Sequence, residues 1–190
     1  MPDFELMSLP TFRLFLLAMS IAALLVFIAL YFIKAGYGMF RTAGWGATMN
    51  NKIAWMLMEA PVFIVMLLMW WGSDRRTLPV TFVFFLLFEL HYLQRAFIFP
   101  FLLKGKSRMP IAIMLMGITF NLLNGFMQGE WICYLAPFRY EDNGWFATPP
   151  FIIGTALFFT GMAINLHSDY IIRHLRKPGD TNHYLPDKGM

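Results

Sequence analysis

A chain of 190 residues that is 58% hydrophobic, only 14% charged and net positive by +4 does not have the make-up of a water-soluble globular domain. Its basic residues sit in short segments between apolar runs, which fits a membrane surface and argues against a nucleic-acid footprint. One cysteine, Cys133, excludes an intramolecular disulfide and a cysteine-rich metal site, and four histidines without HxxxH or HExxH spacing lead us to expect no metal.

Residues 14–33 are an unbroken uncharged run, long enough to cross a bilayer as one helix. The run continues into Lys34 and Gly36-Tyr37-Gly38 without a small-residue cleavage site, so it reads as a retained span and not as a signal peptide. Five spans are predicted, at about 11–34, 53–72, 78–103, 109–136 and 146–172, all helical because backbone groups in lipid must be satisfied internally. The connections carry Gly, Pro, Asn and charge, and nothing divides the chain, so residues 1–190 read as one all-α, multi-pass membrane domain.

Span two places Glu59 at its centre, beside Pro61, which withholds a helix hydrogen bond. An ionised carboxylate at that depth costs about 3 kcal/mol, so Glu59 is expected to be neutral, paired or facing a cavity. It reads either as an interhelical hydrogen bond or as a neutral acid donating to a substrate oxygen. Span three carries Glu89, His91, Tyr92 and Arg95, the last three sharing a face by their spacing. Arg95 is too deep to snorkel and calls for an anion, either a carboxylate of the bundle or a ligand phosphate. Glu89 is a candidate, though almost half a turn out of phase. Asn121, Asn124 and Gln128 in span four read as amides binding neighbouring helices, and the 15 Met and 21 Phe residues read as packing and lipid contact.

Span five ends in Asn165-Leu166-His167-Ser168-Asp169-Tyr170, followed by Arg173, Arg176, Lys177 and Tyr184. On a helix Asn165, Asp169, Arg173 and Arg176 stack along one face, a set that grips hydroxyls and phosphates together. An amphipathic juxtamembrane helix on anionic lipid would look similar. The loop and tail residues Lys34, Arg41, Lys52, Lys104, Lys106, Arg108, Arg173, Arg176, Lys177 and Lys188 outnumber Arg13, Arg75, Arg76 and Arg139 on the other side. Positive-inside bias therefore puts the N-terminus outside and the Asn165–Met190 end in the cytosol, in the endoplasmic reticulum membrane of a eukaryote or the inner membrane of a bacterium.

Ala54-Trp55…Glu59-Ala60-Pro61, Leu90-His91-Tyr92…Arg95, Asn124-Gly125…Gln128-Gly129 and the block from Asn165 to Pro178, together with Gly36-Tyr37-Gly38, resemble the steroid 5α-reductase family. The resemblance covers essentially the whole chain. It implies an integral-membrane enzyme that uses NADPH to reduce the carbon–carbon double bond of a 3-oxo-Δ4 steroid or another lipophilic enone. By the same resemblance Glu59 and Tyr92 hydrogen-bond the ketone oxygen, and Trp55 lines the substrate pocket. Arg95, Asn165, Asp169, Arg176 and Tyr184 hold the cofactor, and no obligate protein partner is implied. No GxGxxG follows a strand, so such a cofactor would be held by membrane helices and not by a Rossmann domain. The chain departs from the usual family pattern at Met58, Phe99, Lys106 and Leu185, where an amide, a tyrosine, an arginine and a basic residue are common. The family fold has seven spans, with further nicotinamide-site residues beyond the fifth, so this chain is expected to be C-terminally incomplete. Competing readings are a polyprenol or very-long-chain enoyl reductase of the same superfamily and a non-enzymatic membrane sterol-binding protein. An ion transporter relaying through Glu59, Glu89 and Arg95 would leave the Asn165–Tyr184 block without a role.

Overall fold

The structure, a computed structural model, describes residues 6–34, 36, 43–137, 140 and 142–175. Five helical spans run up and down: Leu9–Phe32, Asn51–Gly72, Pro79–Leu102, Ile111–Leu135 and Pro149–His174. Each is apolar and long enough to cross a bilayer, and each lies within a few residues of its expected range. The protein is an all-α, multi-pass integral membrane protein.

Helix α1 is Leu9–Phe32. Its N-terminal end is the anchored one: Phe12 is buried and stacks on Trp131 at 6.1 Å, Phe15 meets Phe126 edge-on, and the Met7 N–H donates to Glu130 Oε1 at 2.9 Å. Beyond Phe15 most of its apolar residues are exposed, as suits a lipid-facing helix. Helix α2, Asn51–Gly72, begins where Asn50 Oδ1 accepts from the Lys52 and Ile53 N–H groups, and it runs on through Pro61.

Helix α5, Ile111–Glu130, packs more closely on α2 than any other pair of helices packs. The reason is a stripe at every fourth residue: Gly117, Asn121, Gly125 and Gly129. Gly117 faces Met58, and a Cβ on Gly125 would come within 3.1 Å of both the Val62 carbonyl oxygen and Val65. Small residues in this register let two membrane helices approach backbone to backbone. The C-terminal ends of α2 and α5 are tied as well. Ser73 Oγ donates to the Cys133 carbonyl at 2.6 Å, Tyr134 OH to the Met69 carbonyl at 2.9 Å, and Arg75 Nη1 to the Ala136 carbonyl.

The third span is composite. Helix α3, Pro79–Leu93, widens into a π turn at Gln94–Ile98 and resumes as α4, Phe99–Leu102. The fourth span ends in a second π turn at Trp131–Leu135. Both have the same local cause. The Phe99 N–H reaches back five residues to the Gln94 carbonyl, the Ala136 N–H reaches the Trp131 carbonyl at 2.8 Å, and each donor immediately precedes a proline, Pro100 or Pro137. A proline ring crowds the carbonyl four residues back and brings no N–H of its own, and the helix widens to accommodate it.

At the opposite end two strands absent from the sequence reading, β1 (Thr48–Asn50) and β2 (Arg108–Pro110), pair antiparallel with Met49 opposite Met109. Gly46 and Gly105 turn the chain into them at positive φ, 77° and 89°, which glycine adopts without steric cost. Helix α6, Pro149–His174, has no fully buried residue. Its half-buried positions Phe151, Thr155, Phe158, Met162, Asn165 and Asp169 recur every three or four residues, marking the face laid against the bundle.

Candidate active site

Trp55 and Glu59 stand one turn apart on α2, and Tyr92 closes α3. Arg95 lies in the π turn that follows, and Asp169 comes from α6. These five residues, separate in sequence, come together within the bundle.

Arg95 is the hub. Its guanidinium carbon lies 4.5 Å from the ring centre of Phe99 and 5.1 Å from that of Trp55, while the two rings meet edge-on at 5.3 Å. Its Nη1 forms an ion pair with Asp169 Oδ2 at 3.1 Å, with both side chains about five-sixths buried (16% and 15% exposed). Of the two anions expected for Arg95, the bundle supplies a carboxylate, and it is Asp169 and not Glu89. Glu89 is 7% exposed, and neither of its oxygens finds a hydrogen-bond partner among the described residues. Phe99, a departure from the usual family pattern, gives the guanidinium a second aromatic face.

Glu59 and Tyr92 come from different helices, and each is met by an amide of α5. Asn121 Nδ2 donates to the Met58 carbonyl at 2.7 Å and to Glu59 Oε2 at 3.3 Å, and Asn124 Nδ2 donates to Tyr92 OH at 2.9 Å. The Tyr92 ring rests on Phe88 at 4.7 Å and edge-on against His91 at 5.0 Å. Arg95 is close enough to act electrostatically on Glu59, Tyr92 and His91. The arrangement brings an acid and a phenol together beside an aromatic-walled cation, a combination suited to binding a polar head on an apolar molecule.

Asn165 is half-buried on the same face of α6 as Asp169, one turn earlier. Arg176 and Tyr184 lie outside the described residues. Sequence reasoning assigned Asn121 and Asn124 to interhelical bonding. Asn121 does bond the α2 backbone, but both amides also engage candidate site residues, and their spacing of three in an apolar span was the available signal.

Comparison with known proteins identifies the family. Residues 107–190 match the family described as 3-oxo-5-alpha-steroid 4-dehydrogenase. The chain is 35% identical over 184 residues to steroid 5-alpha-reductase DET2 of Arabidopsis thaliana, covering 94% of this chain and 70% of that protein. It is 32% identical to 3-oxo-5-alpha-steroid 4-dehydrogenase 1 of Bos taurus, covering 86% of this chain and 64% of the relative. It is 37% identical to the Homo sapiens protein of that name, covering 73% and 53%. The chain thus spans between about half and 70% of the length of these relatives. Matched along nearly its whole length by a relative of which it covers more than two thirds, this chain belongs to the steroid 5-alpha-reductase (3-oxo-5-alpha-steroid 4-dehydrogenase) family.

Proposed function

We propose that this protein reduces the Δ4 double bond of a 3-oxo steroid, with NADPH as hydride donor and with Glu59 and Tyr92 polarising the ketone. The observation that carries the reading is the convergence of Glu59 and Tyr92, from two helices, beside the Trp55–Arg95–Asp169 group. The names of the relatives supply the substrate class.

The donor set suits a dinucleotide phosphate. Arg95 presents five N–H donors, and among the described residues one bond to Asp169 engages them, so the guanidinium retains capacity for phosphate oxygens. Asn165 and Asp169 offer an amide and a carboxylate for hydroxyl or carboxamide groups, and Arg176 and Tyr184 would complete the set. When bound, the nicotinamide supplies a hydride to the β-carbon of the enone. The work of the chain's own residues lies at the other end of the conjugated system. As the hydride adds, negative charge develops on the ketone oxygen, and Glu59 (as the neutral acid) and Tyr92 each donate a hydrogen bond to it. Donors fixed in a water-poor cavity stabilise such charge more strongly than water does. A proton taken up at the α-carbon completes the saturated ketone. Trp55 walls the ring system.

The N-terminus lies outside and the Asn165–Met190 end in the cytosol, on the side where NADPH is available. Support comes from Arg75 and Arg76 in the α2–α3 turn at one end and Lys104, Lys106 and Arg108 at the other.

Membranes carrying the full-length protein, given NADPH and a Δ4-3-oxo steroid, should yield a product heavier by two hydrogen atoms. Glu59→Gln, which keeps size but replaces the acid, should lower kcat by about a hundredfold or more. Conversion of a polyprenol or a long-chain enoyl thioester in place of the steroid would reassign the substrate. NADPH-independent sterol binding without turnover would refute the enzyme reading.

A further inference from the structure

We propose that Asn121 and Asn124 are positioning residues for this reaction, setting the direction of the hydrogen bonds that Glu59 and Tyr92 make. The inference rests on the reading of those two groups given above.

The argument begins with which atoms can donate. Asn121 Nδ2 lies 2.7 Å from the Met58 carbonyl oxygen, an acceptor only, so the nitrogen end of the amide is held at α2. The second hydrogen on the same nitrogen points to Glu59 Oε2 at 3.3 Å. Oε2 is thereby the acceptor oxygen, and the proton of the neutral acid is favoured on Oε1, free to donate elsewhere. Asn124 repeats the device one turn further along α5. Its Nδ2 donates to the Tyr92 oxygen at 2.9 Å and cannot accept the phenolic hydrogen in return, so that hydrogen turns away from α5. An oxygen that accepts one hydrogen bond becomes a better donor in the next. Both amides therefore leave their partners with one outward hydrogen each, which is what a ketone oxygen gaining charge requires.

The fold explains why one helix can serve both groups. Asn121 belongs to the stripe with Gly117 and Gly125, where close contact with α2 lets a short side chain reach Glu59. Asn124, three residues on, faces the end of α3. Asn121 is 5% exposed, so without these partners its amide would be buried unsatisfied.

The test is a double-mutant cycle in the full-length protein in membranes, with kcat expressed per NADPH-binding site. Asn124→Asp keeps size and acceptor but loses the N–H. It should lower kcat by about tenfold or more in the native background and by less than about twofold once Tyr92→Phe has removed its partner. Asn121→Leu should lower kcat per site while leaving NADPH affinity unchanged. Losses that multiply in the Tyr92→Phe background, or an Asn121→Leu effect confined to the amount of folded protein, would make the amides interhelical fasteners and overturn the inference. A wild-type protein that is active but indifferent to both Tyr92→Phe and Glu59→Gln would sink the functional reading instead, taking the inference with it.

Discussion

Arg95 is held from three sides by groups of different chemistry: a carboxylate on α6, an indole on α2 and the phenyl ring of Phe99 at the start of α4. A planar guanidinium can stack on both rings while its edge pairs with Asp169, whereas an ammonium keeps the charge but neither the stacking nor the fork. Arg95→Lys should therefore weaken NADPH binding by about tenfold, corresponding to about 1–2 kcal/mol of lost stacking and directional bonding, read by titrating nucleotide fluorescence in purified protein. The need of Arg95 for an anion was legible in its depth within an apolar span. Which anion was not, because Asp169 lies 74 residues further on and only packing brings α6 alongside. Glu89 shows the reverse. Its sequence neighbours mark it as a candidate partner, yet the structure leaves its carboxylate in a separate environment.

At the scale of elements, helix type and extent were written in composition, and the wide turns were not. Five apolar stretches of adequate length leave the backbone no alternative in lipid, which is why the ranges agree. A π turn depends on how a proline is accommodated by the chain before it, and Pro61, inside α2, is passed without one. Residue identity alone did not distinguish Pro61 from Pro100. The α2–α5 contact was partly legible in Gly125 and Gly129, which sequence reading had noted for another reason. A side chain at Gly125 must displace the Val62 carbonyl or the Val65 side chain from 3.1 Å. Gly125→Leu should destabilise the bundle by about 1–3 kcal/mol or more, seen as a lower melting temperature in detergent. Turnover should fall with it, since Asn121 and Asn124 would be lifted from α2 and α3.

For the whole molecule, the alternation of five spans sets which loops share a side, and the proposal that the side richer in basic residues is cytosolic can be tested directly. The fold itself provides a clean way to check. Cys133, the single cysteine, is buried at 1% exposure and should not react with a membrane-impermeant maleimide. A cysteine introduced at Thr77, in the α2–α3 turn, should be labelled from outside intact cells or from the lumen. One introduced at Lys106 should be labelled only after the cytosolic face is opened. Reversal of that pattern would invert the proposed topology and overturn the proposal of a nucleotide site open to the cytosol.

The π turn at Gln94–Ile98 has one more consequence, concerning length. Such a turn accommodates an extra residue without a break in the helix. The third span can therefore address two neighbours from consecutive stretches: Tyr92, just before the wide turn, meets α5, while Arg95, within it, meets α6. A register change of this kind lets the α5-facing and α6-facing portions of one helix vary separately, so that a shift in one need not drag the other out of alignment.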